Sequence, residues 1–160
     1  MKTIIVYYSM EENTAYAANR IAEIIGADTL RLYPKKTYPS SGFRKFMWGG
    51  MSAVMSEKPE LEPYEFIADD YDRVIIGFPV WASNMAPPLR TFIRDNDLNG
   101  KQISAFACQA GNGAEKAFAK LKAALGITAL ENELILIDPK AKPTDENEQK
   151  IEEFCEKLKG

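Results

Sequence analysis

The stretch 2–23, KTIIVYYSMEENTAYAANRIAE, decides the fold. It opens on Thr3-Ile4-Ile5-Val6-Tyr7-Tyr8, β-branched and aromatic residues in a run short enough for one buried strand. A polar loop follows, Ser9-Met10-Glu11-Glu12-Asn13-Thr14, and then a helical pattern. Ala17, Ala18, Ile21, Ala22, Ile24 and Ile25 share one broad face there, while Asn19, Arg20 and Glu23 lie away from it. Strand, short loop, helix is the start of a βαβ unit. Its loop sits at the carboxyl end of the strand and the amino end of the helix, where free N–H groups and the helix dipole favour an anion. Ser9, Asn13 and Thr14 add side-chain donors. The loop reads as a phosphate holder, and the same three residues would also serve as helix caps.

Outward from that unit the pattern repeats. Gly26 reads as a helix C-cap, and a short strand is expected at 29–32. The segment 33–65 is less regular: a loop at 35–42, a helical pattern at 43–56 and a surface run at 58–63. Within it, Trp48 beside Phe46 and Met47 reads either as core or dimer contact, or as a lid. A second strong buried strand spans 72–78 and runs into the loop Pro79-Val80-Trp81-Ala82-Ser83-Asn84-Met85-Ala86. Pro87-Pro88 opens the next helix, with Leu89, Phe92 and Ile93 inward. Asn99-Gly100 marks a turn before a strand at 102–108, and the loop Gln109-Ala110-Gly111-Asn112-Gly113 precedes a helix closed by Gly126. A buried strand at 134–137 and a closing helix after Pro143-Thr144 complete the chain. Ile151, Phe154, Cys155 and Leu158 form the inner face of that last helix.

Five strands thus alternate with five helices, all within one expected domain over 1–160. Near-continuous apolar strands imply a parallel α/β sheet buried on both faces. In such a sheet ligands bind outside the carboxyl ends of the strands, where the strand order reverses. With the order 2-1-3-4-5, three loops line one crevice: an anion cradle, a loop carrying an exposed tryptophan, and a glycine-rich loop. Those parts suit an aromatic ring with a phosphate tail.

Composition narrows the chemistry. Apolar residues make up 46% and charged residues 27% of the 160, an ordinary globular balance. The net charge of −3, with no basic cluster, argues against nucleic acid. No apolar run reaches membrane-spanning length, and Met1-Lys2 leads into a core strand without a signal-peptide pattern, so the expected location is the cytoplasm. Cys108 and Cys155 lack metal or redox spacing and read as reduced thiols. Histidine is absent, which removes the commonest general base and every Ser-His or Cys-His arrangement. No side chain stands out as catalytic, and no metal site is expected. Any reaction must come mainly from something the protein binds.

At these residues the sequence resembles the flavodoxin family and its FMN-binding relatives. The carriers are the loop from Tyr7 to Thr14, the stretch Gly77-Phe78-Pro79-Val80-Trp81-Ala82-Ser83-Asn84-Met85-Ala86-Pro87-Pro88, and Cys108-Gln109-Ala110-Gly111-Asn112-Gly113. The resemblance covers nearly the whole chain, and the Pro-Val-Trp loop leading into Pro-Pro-Leu-Arg-Thr-Phe is its most specific part. It implies a three-layer flavodoxin-like fold, with helices on both faces of the five-stranded sheet, and FMN as cofactor. Phosphate would lie on Ser9, Met10, Glu11, Glu12, Asn13 and Thr14. The ring would lie between Pro79, Val80, Trp81, Ala82, Ser83 and Asn84 on one side and Gln109, Ala110, Gly111 and Gly113 on the other.

Three departures from the family pattern refine this. Glu11 and Glu12 stand where Ser/Thr-x-Thr-Gly-Asn-Thr has threonine and glycine. If they faced the phosphate, their repulsion would cost on the order of 1 kcal/mol or more. Ala82 stands where flavodoxins often carry a glycine that turns toward the reduced ring, and alanine makes positive φ costlier. The second loop has no aromatic residue, which leaves one ring face more open. Two redox readings follow: an electron carrier serving a redox partner protein or small-molecule acceptor, and an FMN-dependent NAD(P)H or quinone reductase. A flavin-free binding module is the reading of another class. Monomer and homodimer both stay open.

Overall fold

The computed structural model describes residues 1–36 and 57–159. The elements run β1 (Thr3–Tyr7), α1 (Asn13–Ile25), β2 (Asp28–Arg31), a 3-10 turn (Ala68–Asp70), β3 (Arg73–Pro79), α2 (Pro87–Asp95), β4 (Gln102–Gln109), α3 (Ala114–Leu125), β5 (Glu133–Ile137) and α4 (Asp145–Lys159). All strands pair in parallel, in the order β2-β1-β3-β4-β5. This is the expected flavodoxin-like sheet. The helix expected over 43–56, Trp48 included, lies outside the described residues.

The sheet is buried on two sides because its central strands are apolar at consecutive positions. Ile4, Val6, Val74, Ile76 and Phe78 face one core with Leu89, Phe92, Phe118 and Leu121 of α2 and α3. Ile5, Tyr7, Ile75 and Phe106 face the other, with Ile21, Ile151, Phe154 and Leu158 of α1 and α4. Helix ends follow their punctuation. Gly26 and Gly126 adopt left-handed φ values of 72° and 70° and close α1 and α3. Thr144 Oγ1 accepts the Asn147 N–H at 3.1 Å and caps α4, whose first turn carries Asp145, Glu146 and Glu148.

Three expectations need correction. The second strand begins at Asp28 rather than 29, although Leu32 stays buried and donates its N–H to Tyr7 O at 2.8 Å. The last strand is an edge strand, not a fully buried one: Leu134 and Leu136 are covered, but Ile137 is 42% exposed. The run at 58–63 is not free surface chain. Glu62 N–H donates to Tyr33 O at 2.7 Å and Lys35 N–H to Glu60 O at 2.9 Å, so it is zipped antiparallel to the chain after β2.

Candidate functional site

The turn from β1 into α1 is built from its own polar residues. Ser9 Oγ accepts the Ala15 N–H at 3.1 Å, which leaves the hydroxyl proton free for another acceptor. Glu12 occupies the N-cap with φ 65°, a left-handed conformation, and makes no side-chain cap bond. Among the described residues, the backbone N–H groups of Met10 to Thr14 donate to no protein acceptor. They form a row of open donors at a helix start. Asn13 Oδ1 accepts from Lys140 N (2.9 Å) and Ala141 N (3.1 Å), tying this turn to the chain beyond β5. Its amide Nδ2 keeps two protons to donate.

The two acidic residues behave differently. Glu11 is exposed. Glu12 is half-exposed but paired: Arg31 of β2 grips its carboxylate through Nη2–Oε1 (2.7 Å) and Nη1–Oε2 (3.2 Å). The same guanidinium donates to Ser9 O at 3.1 Å and lies 5.4 Å from the Tyr33 ring centroid. Hydrogen bonding from Arg31 holds the Glu12 carboxyl below its usual range, against the opposing effect of burial. Position 12 thus takes the backbone shape that glycine would, despite its side chain. That strain costs about 1 kcal/mol or more, and the two-point Arg31 contact offsets it.

The loop after β3 folds back on itself. Trp81 N–H donates to Asn84 O at 3.0 Å and Asn84 N–H to Trp81 O at 2.9 Å. Ala82 (φ 49°) and Ser83 (φ 61°) lie between them, both left-handed, so the loop is a tight type I′ turn built without glycine. Trp81 is 3% exposed and meets the Tyr8 ring edge-on at 5.6 Å. The expectation of an exposed tryptophan is thereby corrected: the turn carries the indole into the core shared with α2. Asn84 is likewise structural, its Oδ1 accepting from Met85 N (3.1 Å) and Arg90 Nη2 (2.8 Å). Because Ala82 is exposed and left-handed, Ala82→Gly should relieve strain and raise stability by roughly 0.5–1 kcal/mol. The denaturant midpoint reads this directly, and an unchanged or lower midpoint would contradict it.

The loop after β4 is shorter and tied at both ends. Gln109 Oε1 accepts the Ala114 N–H at 3.1 Å and so caps α3. Gly113 has φ 101°, and a Cβ built there would stand 2.9 Å from Ser83 Oγ and 3.1 Å from Ser83 Cα. The two outer loops therefore touch at a point where only glycine fits.

Between the loops lies a cleft of about 110 Å³. It takes Met10, Glu11, Asn13 and Thr14 from the first loop, Pro79, Val80 and Trp81 from the second, and Ala110 from the third. Ser83, Gln109 and Gly113 line a separate space of about 400 Å³ on the α3 side. Ser9, Glu12, Ala82, Asn84 and Gly111 line neither; Ser9 and Glu12 act from behind the cradle, and Ala82 and Gly111 are exposed at the rim. Two further residues line the cleft: Cys108, expected only as a reduced thiol, and Asp138, which sequence reading missed. Burial pushes the Cys108 thiol up to about 12, against a hydrogen bond with Thr14, so it stays a thiol at neutral pH. Asp138 follows β5, and the rule that ligands gather at carboxyl strand ends would have found it had it been extended one strand further.

A doubly wound parallel sheet with open amides at its switch point defines a class: α/β proteins whose loops gather beyond the carboxyl ends of the strands. The chain belongs to the flavodoxin family, whose model, described as Flavodoxin, matches residues 2–153. Among solved structures it is similar to a candidate flavoprotein from Bacteroides eggerthii DSM 20697, at 23% identity and TM-score 0.81, over 99% of this chain and 98% of that one. A flavoprotein from Lactobacillus acidophilus NCFM in complex with FMN matches at 20% identity and TM-score 0.71, over 86% and 93% of the two chains. A flavodoxin from the domain Archaea matches at 19% identity and TM-score 0.55 over the full length of both chains. Likeness at these identities establishes the fold. Among the described residues no helix is long and apolar enough to cross a membrane.

Proposed function

We propose that this chain binds FMN at the cleft and works as a redox protein, relaying electrons between a partner protein and a further acceptor. The observation that carries this is the row of open amides from Met10 to Thr14, set beside the Gly113 contact that joins the two outer loops. The donor set fits a phosphate ester. The Glu11 and Glu12 amides, the Ser9 hydroxyl proton, Asn13 Nδ2 and Thr14 are all of the sign an anion needs.

The cleft of about 110 Å³ is small for a whole heterocycle, so only part of the ligand would sit inside it. The ring would lie at the mouth, between 79–83 and 109–113. Bound FMN would supply the electron-transfer chemistry that a histidine-free chain lacks. The protein's share is to hold the phosphate, orient the ring and set the field around it.

A specific feature favours reductase activity as a second reading. Ala110 and Gly111 are small and exposed, so nothing aromatic from that loop closes the outer side. The test of the main reading is titration of the purified protein with FMN, read by quenching of flavin fluorescence. Sub-micromolar affinity is the expected result, and no binding at tens of micromolar FMN would sink it. The chain would then be a flavin-free binding module. Rapid mixing of the complex with NADPH separates the redox readings, since fast direct reduction belongs to a reductase and not to a carrier.

A further inference from the structure

We propose that Arg31 makes the cleft selective for a phosphorylated flavin, by holding the Glu12 carboxylate out of the phosphate cradle. The inference rests on the FMN reading above. Arg31 stands at the end of β2, the strand beside the cradle, and Glu12 closes the turn at the N-cap of α1. One guanidinium reaches both ends of that turn: Ser9 O at 3.1 Å, and both oxygens of Glu12 at 2.7 and 3.2 Å. The contact is a fork, fixing direction as well as distance, and it cancels the charge it fixes.

That cancellation matters because no cation stands in the cleft's own lining, although Lys142 Nζ lies 3.9 Å from Asp138 outside it. Its lining holds two carboxylates, Glu11 and Asp138, and neither lysine nor arginine. A phosphate monoester brings about −1.5 to −2 charges at neutral pH. The open amides hold this anion through partial charges alone, so a second full negative charge on the same turn would tell heavily against it. Arg31 prevents this without entering the cleft. It is a positioning residue, acting on the ligand through Glu12.

Riboflavin, which has the same ring and no phosphate, isolates the effect. Wild-type protein and the variants R31M, R31K, E12Q and R31M/E12Q are titrated with FMN and with riboflavin. R31M should weaken FMN binding about tenfold or more, as expected for a like charge within several ångströms in a partly solvated site, and leave riboflavin binding unchanged. R31K should retain most of the FMN affinity. R31M/E12Q should recover it, since the carboxylate that Arg31 restrains is gone, and added salt should narrow the gap between R31M and wild type.

A purely structural strap predicts otherwise, because R31M/E12Q lacks both ends of the strap and would bind FMN as weakly as R31M. That result, or an FMN affinity unmoved by R31M, overturns the inference while FMN binding itself stands. Failure of the wild-type protein to bind either flavin overturns both.

Discussion

Alanine in place of Gly77 is expected to destabilise the protein by about 3 kcal/mol, the largest effect of a methyl added at any of the described glycines. Gly77 lies in β3 directly opposite Phe106 of β4, and the Phe106 ring occupies the place where a side chain would stand. A Cβ at position 77 would overlap three ring carbons. The ring has nowhere to go, because Phe106 is fully buried between the sheet and the layer formed by α1 and α4. Strand glycine here marks the close approach of another group, not a bend. Denaturant unfolding of Gly77→Ala measures the cost, and Gly77→Ala with Phe106→Leu should recover part of it by making room. A stability within 1 kcal/mol of wild type would show the core to be looser than its packing implies.

The second large effect is on binding. Gly113→Ala should lower FMN affinity by about tenfold or more while the protein stays folded. Position 113 combines a φ of 101° with a neighbour on the opposite loop: Ser83 Oγ at 2.9 Å, Ser83 Cα at 3.1 Å and Val80 Cγ1 at 3.3 Å from the new methyl. The hydroxyl could turn aside, but the Cα belongs to the backbone and cannot. The type I′ turn at 81–84 must therefore shift, and the separation of the two outer loops shifts with it. Gly111→Ala is the control, since nothing lies within 4 Å of a Cβ there. Equal FMN affinities for the two variants would mean that the contact between loops has no part in shaping the site.

Much of this architecture could be read from the chain because its signals are local. Apolar runs announced β1, β3 and β4. Gly26, Gly126 and Pro87-Pro88 marked helix ends through backbone preferences that act within a few residues. What stayed hidden depends on partners far apart in sequence. Nothing near Glu12 announces Arg31, 19 positions away and in another strand, so the acidic pair read as a threat to the ligand when half of it is already neutralised. Trp81 read as exposed because periodicity stops at the strand end, and the turn that buries it is fixed by hydrogen bonds between Trp81 and Asn84. The strand expected at 134–137 read as buried because its residues are apolar, yet edge or centre is a property of strand order.

The Asn13 contact bears on when the cradle becomes complete. Its two donors lie 127 and 128 positions along the chain, beyond the last strand of the sheet. A contact of that span closes a long loop, and in folding such closures come at a greater entropic cost than local ones. The turn at 9–14 thus waits for a segment more than a hundred positions further on before its geometry is set. On this topology the scaffold is expected to assemble before the Asn13 contact closes and the cleft takes its final shape.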